Sequence, residues 1–243
     1  MSLVVGRKPV LEAINSGEKL EQVYILFGQK GGIVDAIRIA AKKRGIKVNQ
    51  VTPEKFKTLT DHPNTQGVAA RKSAQKFFEI EDIITSAKEK QYPLILLLDS
   101  IQDTHNLGAI LRTAECSEVD GIILTRHHSA PINETVAKTS AGATEHLKIA
   151  QVNNLVQAIK ELKENGFWII GSSLENSKPY TRVDFKIPAA VIVGNEEKGI
   201  RRLTSENCDI LVNIPMKGKI QSLNVSVAAG VLLFEILRQR TSN

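Results

Sequence analysis

The sequence predicts an α/β protein in which a parallel sheet fills the larger, carboxyl-terminal part and a small α/β unit precedes it. Strand-like apolar runs alternate with helical patterns, which implies a parallel sheet covered by helices on both faces. Residues 94–98 and 190–193 are uninterrupted apolar runs, as expected of strands buried on both faces. Residues 72–76 show no periodicity, so we place the domain boundary there. The predicted divisions are a first domain at 1–72, a linker at 73–78 and a second domain at 79–243.

The first domain is predicted to alternate strands and short helices. Pro9 suits the first turn of a helix that Gly17 ends, and Thr52 with Pro53 is a capping residue followed by proline. The β-branched and aromatic content of residues 22–27 favours a strand. The predicted helices are 9–16, 33–44 and a short one opening at Thr52, and the predicted strands are 22–27, 46–51 and 67–71.

The second domain is predicted to continue the alternation. Asn154 is expected to cap a helix that runs to Asn165-Gly166, an ending typical of helices. The predicted strands are 94–98, 121–124, 147–150, 167–171, 190–193 and 210–214. The predicted helices are 80–90, 107–117, 133–140, 154–165 and a long final one at 222–240.

Bulk properties exclude several classes of protein. The 243 residues are 42% apolar and 24% charged, ordinary values for a globular protein. No apolar run approaches the roughly 18 residues that span a bilayer, and the signal-peptide pattern is missing, so we expect a cytoplasmic protein. Cys116 and Cys208 lack CxxC partners and are predicted to be reduced structural thiols. His105, His127 and His128 lack the companions of a metal site, so no metal is predicted.

Positive charge is concentrated in the first third of the chain. Residues 1–72 carry 13 Lys and Arg against 6 Asp and Glu, while the whole chain has a net charge of +6. Basic charge gathered on one segment is the electrostatic footprint of a phosphate-backbone partner, so this domain is predicted to bind nucleic acid. A solvated helix face would account for Lys42, Lys43 and Arg44 alone. The other basic residues favour nucleic acid: Arg7, Lys8, Lys55, Lys57, Arg71 and Lys72.

A polar loop follows the predicted strand at residues 94–98, at the strand end where open α/β sheets place ligands. Asn106 is predicted to cap the helix that comes next. Gly108 makes the start of that helix thin, which permits close approach of backbone or ligand. Arg112 lies in a largely apolar stretch, where an arginine is expected to have an anionic partner.

Two more polar loops follow strands near the end of the chain. One is Gly194-Asn195-Glu196-Glu197-Lys198-Gly199, and the other covers residues 214–226. In the second loop Ser222, Asn224 and Ser226 alternate with apolar residues, and polar groups that open a buried helix either cap it or hold a ligand. The loops predict one composite pocket. Walker A, GxGxxG and GxSxG motifs are missing, so standard nucleotide-binding fingerprints and Ser/His/Asp catalysis are not predicted.

Together the three loops resemble the three motifs of the SpoU-type 2′-O-ribose RNA methyltransferases, which belong to the knotted SPOUT class. The matching segments are residues 103–114, 191–199 and 214–229, with further likeness at 129–131 and 137–146. The opening Gly6-Arg7-Lys8-Pro9 and the residues after it are similar to the ribosomal protein L30e-like substrate domain of the RlmB/TrmH-like subgroup, which methylates a guanosine of 23S ribosomal RNA. Thr104 stands where proline is common, a departure expected to alter only a turn.

The resemblance implies S-adenosylmethionine as the cofactor, bound in a deep trefoil knot of the second domain. It places the cofactor against Gly194, Ile214, Met216 and Leu223. A side chain at position 194 is expected to obstruct the ligand, and the apolar residues suit an adenine pocket. The resemblance also implies a homodimer formed through the second domain.

It further implies a catalytic role for Arg112, with Asn106, Glu196, Ser222 and Asn224 orienting it, the substrate or the cofactor. A 2′-hydroxyl is a poor nucleophile while protonated, so the site must help to remove its proton. A guanidinium is essentially never deprotonated in proteins. We therefore assign Arg112 to clamping a substrate phosphate and stabilising alkoxide charge.

The leading functional prediction is methyl transfer to a ribose 2′-hydroxyl of RNA, on a guanosine of 23S ribosomal RNA, without metal or membrane. One alternative is the same chemistry on transfer RNA or another ribosomal site. A second is a non-catalytic RNA-binding or ribosome-assembly factor, which would have no need of all five candidate catalytic residues. A third is a small-molecule enzyme, which the lopsided charge disfavours.

Overall fold

The computed structural model of the chain describes residues 3–73, 76–195 and 198–242. The described residues fall into two compact units, one ending at residue 73 and the other beginning at residue 76. Ser73 still donates its backbone N–H to the Lys19 carbonyl of the first unit, at 2.9 Å, while the Phe78 N–H donates to Ile149 of the second, also at 2.9 Å. Each unit has its own sheet and apolar core.

The first unit is a four-stranded mixed sheet with the strand order β1-β4-β2-β3. Strands β2 and β3 are parallel, and β4 runs antiparallel to both β1 and β2. The elements are β1 (Leu3–Val5), α1 (Arg7–Ser16), β2 (Leu20–Leu26), α2 (Gly32–Lys43), β3 (Lys47–Val51), α3 (Pro53–Leu59) and β4 (Val68–Lys72). Strand β1 was not predicted, because three residues are too few to show a strand's alternation.

Helices cover both faces of this sheet. Val10 of α1 and Ile37 of α2 are fully buried against one face, and Phe56 of α3 packs with Tyr24 on the other. The predicted cap of α3 is confirmed, since Thr52 accepts a hydrogen bond from the Lys55 N–H at 3.4 Å.

The second unit confirms the predicted parallel sheet. Its seven strands have the order β7-β6-β5-β10-β8-β11-β9, and every neighbouring pair is parallel. The strands are β5 (Leu94–Asp99), β6 (Gly121–Thr125), β7 (Ile149–Val152), β8 (Trp168–Ser172), β9 (Lys178–Pro179), β10 (Ala189–Gly194) and β11 (Ile210–Asn213). The helices are α4 (Ile80–Ala87), α5 (Thr104–Cys116), α6 (Glu134–Thr139), α7 (Leu155–Glu164), α8 (Arg202–Glu206) and α9 (Val225–Thr241), with short 3₁₀ turns at Ala143–Glu145 and Tyr180–Arg182.

The central strands β5 and β10 are buried along their whole length. One face of the sheet packs against α5 and α9, and the other packs against α4 and α7. Burial on both faces is why these two strands read as continuous apolar runs. Within the described part of the chain, no helix has the length and apolar content needed to span a bilayer.

Two helix starts differ from the prediction. Helix α5 begins at Thr104, because Asp103 caps it by accepting the Asn106 N–H at 2.8 Å. The prediction that Asn106 is the cap is therefore wrong. Helix α9 begins at Val225 rather than at residue 222, because Asn224 is its cap. Helix α4 also ends at Ala87, three residues before the predicted end.

Candidate active site

The carboxyl ends of the parallel strands meet at one edge of the second unit, and the β5–α5 connection lies at the centre of that edge. In the ladder Asp99, the last residue of β5, is paired with Gly194, the last residue of β10. The loop that leads into the first motif (residues 103–114) therefore begins beside the second motif (residues 191–199).

Asp99 anchors the connection that follows β10. Its carboxylate is fully buried and accepts two hydrogen bonds from Arg201, from the backbone N–H at 2.9 Å and from Nε at 2.6 Å. A buried carboxylate needs such partners, because an unpaired charge in the interior is costly. The Asn195 side chain adds a weaker link, donating to the Ser100 carbonyl at 3.4 Å. Sequence reasoning missed the Asp99–Arg201 pair. A signal for it was an aspartate ending an otherwise apolar run.

Gly194 is required by the fold of its own loop. A Cβ at this position would lie 2.2 Å from the Gly199 carbonyl carbon and 2.3 Å from the Ile200 nitrogen. Asn195 and Gly199 exchange backbone hydrogen bonds at 3.0 and 2.9 Å, and these bonds hold the two ends of the loop together. The chain itself therefore requires a glycine here, and room for a ligand stays a prediction.

Motifs one and three meet through two asparagines. The Asn224 amide nitrogen donates to Oδ1 of Asn106 at 2.9 Å. The other end of the Asn224 side chain accepts the Ser226 N–H at 2.9 Å and the Ser226 hydroxyl at 2.6 Å. Asn224 therefore caps α9 and fixes the start of α9 to the first turn of α5. Two of the predicted site residues are brought together by a direct contact.

Arg112 lies on the exposed face of α5, in line with His105 and Cys116. Within the described ranges no carboxylate forms an ion pair with it. The face of α5 that carries Arg112 turns away from the core, so an anionic partner from outside the described residues stays a prediction. Gly108 does permit close approach, but by α6: a Cβ there would lie 2.6 Å from Cβ of Thr139.

Three of the four predicted cofactor residues lie on the loop that follows β11, and the fourth, Gly194, ends β10. Ile214, Met216 and Leu223 are half-buried, whereas Ser222 is exposed. Ile214 packs against the main core of the unit. Glu196, the remaining candidate catalytic residue, lies outside the described residues.

The predicted RNA-binding residues form two groups. Arg7 and Lys8 begin α1. Lys42 and Lys43 end α2, and the neighbouring Arg44 donates to the Asn15 carbonyl near the other end of α1, at 2.7 Å. Helix α1 has ten residues and so spans about 15 Å. The two groups therefore lie at opposite ends of α1 rather than in one patch.

Neither cysteine pairs with the other, and the two differ in setting. Burial raises the pKa of the Cys208 thiol to about 12, and its Sγ donates to the Thr204 carbonyl at 3.3 Å. Cys116 is exposed. Among the described residues, no group of three or more His, Cys, Asp or Glu side chains is placed to hold a metal ion.

Comparison with known proteins matches both units to sequence profiles of RNA methyltransferases. Residues 93–234 match the sequence profile of the SpoU rRNA Methylase family, and residues 3–78 match that of RNA 2′-O ribose methyltransferase substrate binding. A Staphylococcus saprophyticus protein, which its name assigns to the TrmH family of tRNA/rRNA methyltransferases, is 39% identical over 98% of this chain and 96% of its own. The similarly named YacO of Bacillus subtilis is 37% identical over 98% of this chain and 95% of its own.

A solved structure shows the same architecture. The AdoMet-bound rRNA methyltransferase from Sinorhizobium meliloti matches with a TM-score of 0.70 at 26% identity, over 99% of this chain and 88% of that chain.

Proposed function

The chain belongs to the SpoU rRNA methylase family, and on that premise we propose that it transfers a methyl group from S-adenosylmethionine to a ribose 2′-hydroxyl of RNA. The observation that carries the proposal is the Asn106–Asn224 hydrogen bond at the edge of the parallel sheet. It joins the motifs at residues 103–114 and 214–229, and the hydrogen bonds from Asn195 to Ser100 and from Arg201 to Asp99 connect the loop after β10 to the same strand end. We assign the three motifs to one catalytic site.

The residues around the third loop fit the cofactor. The half-buried Ile214, Met216 and Leu223 offer an apolar surface of the kind that flat heteroaromatic groups occupy. These residues would hold the adenine, with the backbone near Gly194 on the same edge of the sheet. When bound, S-adenosylmethionine supplies a methyl group activated by its sulfonium.

The chemical task of this chain is to prepare the ribose oxygen. Arg112 is exposed, so its guanidinium N–H groups can donate hydrogen bonds to a substrate phosphate. Its positive charge would stabilise the oxygen as the proton leaves, and a substrate phosphate oxygen would accept that proton. We assign the orientation of the substrate to Asn106 and Asn224, which contact each other, with Ser222 and Glu196 as further candidates.

We propose a guanosine of 23S ribosomal RNA as the target. The support is the likeness of the Gly6-Arg7-Lys8-Pro9 opening to the subgroup with that target, and the basic first unit that would deliver RNA. The names of the relatives cover both tRNA and rRNA, so transfer RNA is the competing substrate. The ribosomal protein L30e-like fold of the first unit and the trefoil knot of the second are parts of the same proposal.

A homodimer completes the proposal. Helix α9 is apolar on nearly all sides, and Val227 and Phe234, seven residues apart on one face, are each 50% exposed. An exposed apolar helix face of this kind is expected to be covered by another surface. We infer that a second copy covers it, as the resemblance implies.

The test is transfer of a labelled methyl group from S-adenosylmethionine into total RNA from cells that lack this activity, followed by mapping of the label. Label on a guanosine 2′-oxygen of the large-subunit RNA is the expected result. Label in transfer RNA would keep the chemistry and overturn the target. Cofactor binding without any transfer would favour the non-catalytic alternative.

A further inference from the structure

The first unit contains an open cavity of about 760 Å³, and we propose that it binds one unpaired nucleotide of the RNA together with its phosphate. The proposal rests on the proposed function, because it names the place where this enzyme grips its substrate. The volume lies within the roughly 300–1,000 Å³ range of pockets that hold small ligands.

The cavity lies at one end of the four-stranded sheet. One wall is the turn from β1 into α1, with Gly6, Arg7 and Lys8, and the opposite wall is the segment before β4, with His62, Asn64 and Gln66. The two walls are joined by the Arg7 backbone N–H, which donates to Oε1 of Gln66 at 3.2 Å. The cavity is therefore built from two connected segments and is not a lone helix terminus.

Its charge suits a phosphate. Arg7 and Lys8 are the cationic lining residues, and no Asp or Glu stands among the lining residues of the described chain. The partners of the Arg7 side chain are neutral: Nε donates to the Gln66 carbonyl at 3.2 Å, and Nη2 donates to the Gln29 amide oxygen. Since those bonds leave its positive charge uncompensated, an anion entering the cavity gains a charge-assisted contact.

The remaining lining residues suit a base. Val5, Pro9 and Ile33 give the cavity an apolar wall, which a bare phosphate would not need. His62, Asn64 and Gln66 supply side-chain hydrogen-bonding groups, and the Asn64 N–H donates to Nδ1 of His62 at 3.2 Å, which fixes the ring. An apolar wall with a few polar groups is how unpaired bases are received, whereas a base inside a duplex cannot reach such a pocket.

The fold also provides a matched control. Lys47 is exposed and begins β3, at the end of the sheet away from the cavity, since the last residues of β3 pair with the end of β2 near the cavity. Replacing Lys47 or Lys8 by alanine removes the same charge from the same unit, and only Lys8 lines the cavity.

The experiment measures binding of a fluorescein-labelled short single-stranded RNA, and of the same RNA in a blunt duplex, to the full-length protein by anisotropy over a range of KCl concentrations. We expect Lys8→Ala to weaken single-strand binding by roughly five- to tenfold and to reduce the salt slope by about 0.7. Asn64→Ala should weaken it by about threefold without changing the slope. Lys47→Ala should change it by less than about twofold.

Three results would overturn the proposal: equal losses for Lys8→Ala and Lys47→Ala, unchanged binding by Asn64→Ala, or duplex bound as tightly as single strand. Thermal melting of each variant checks the fold. Lys8→Gln is a second variant that, like Lys8→Ala, removes the positive charge of Lys8. Methyl transfer into total RNA separates this inference from the proposed function. If the wild type transfers methyl groups and Lys8→Ala changes neither the transfer nor the RNA binding, the pocket is refuted while the proposed function stands. If the variants show the expected RNA binding but neither the wild type nor any variant transfers methyl groups, the proposed chemistry is refuted while the pocket stands.

Discussion

At the scale of single residues, a few polar side chains connect the segments at the edge of the sheet that carries the candidate active site. Asp99 is buried at the end of β5, and its two bonds from Arg201 turn a costly buried charge into a fixed anchor. The Asn224 amide oxygen caps α9, and its amide nitrogen donates to Asn106. Asp99 and Asn224 each contact a segment about a hundred positions away along the chain, so each connects two distant segments at the site.

Arg112→Ala is expected to lower methyl transfer by about 10²–10³-fold, because it removes the donor assigned to the developing charge. S-adenosylmethionine affinity should stay nearly unchanged, since Arg112 is exposed on α5 and is not assigned to the cofactor. Turnover with labelled cofactor and calorimetric cofactor binding measure the two effects. Arg182→Ala, another exposed arginine, is the control. A large loss of cofactor affinity in Arg112→Ala would contradict the assigned role.

Glu235 gives a prediction about acid stability. Hydrogen bonds from Arg238 and then Gln239 lower the pKa of its carboxyl to about 2, below the value of about 4.3 for an unfolded glutamate. The folded state therefore gains stability from this group above about pH 4.3, and loses it as the pH falls towards 2. Glu235→Gln should flatten the fall of the urea midpoint over that range. An unchanged profile in both Glu235→Gln and Arg238→Ala would contradict this role of the pair.

At the scale of elements, the return of the chain after β10 depends on the missing side chain of Gly194. Gly194→Ala places a Cβ 2.2 Å from the Gly199 carbonyl carbon, so backbone must move. We expect a loss of about 1–3 kcal/mol in unfolding free energy and weaker cofactor binding. Gly218→Ala, where nothing lies within 4 Å of the added carbon, should change stability by less than about 0.5 kcal/mol. Equal unfolding midpoints for the two variants would refute this account.

The sequence predicted the elements well where the pattern is long and local. The buried strands β5 and β10 and the caps Thr52 and Asn154 follow from neighbouring residues, and the structure confirms them. Short elements such as β9 and α8 were missed, since two to five residues show no period. The start of α5 was misplaced, because Asp103 and Asn106 are both good capping residues and only the observed hydrogen bond decides between them.

The site itself was only partly within reach of the sequence. The resemblance to the family motifs named Asn106 and Asn224, but no local sequence pattern predicts that their side chains are in contact. The ion pair of Asp99 and Arg201 spans 102 positions, so it follows from the order of strands and not from any segment. Arg112 could be named by its motif, while its exposure depends on which face α5 turns to the core.

At the scale of the whole molecule, the exposed side of α9 predicts association of two chains. Phe234→Glu puts a charge on that face, where Phe234 is 50% exposed, and should convert the proposed dimer into a monomer. Leu203→Glu alters an apolar residue that is 55% exposed on α8 and should leave the dimer intact. Light scattering after size-exclusion chromatography measures the mass against 26.7 kDa for one chain. A monomeric wild type, or a dimeric Phe234→Glu, would disprove the assigned interface.

The long-range anchoring of the β5–α5 connection sets an order of events during synthesis. The contacts of Ser100, Asp99 and Asn106 reach partners 95, 102 and 118 positions further along the chain. At about 5–20 residues per second, a ribosome needs roughly 6–24 s to go from Asn106 to Asn224. The basic first unit is complete long before that, so a growing chain can meet RNA while it still lacks a catalytic edge. If the proposed function holds, methylation waits for the last helix, and a chain without this helix is expected to bind RNA without methylating it.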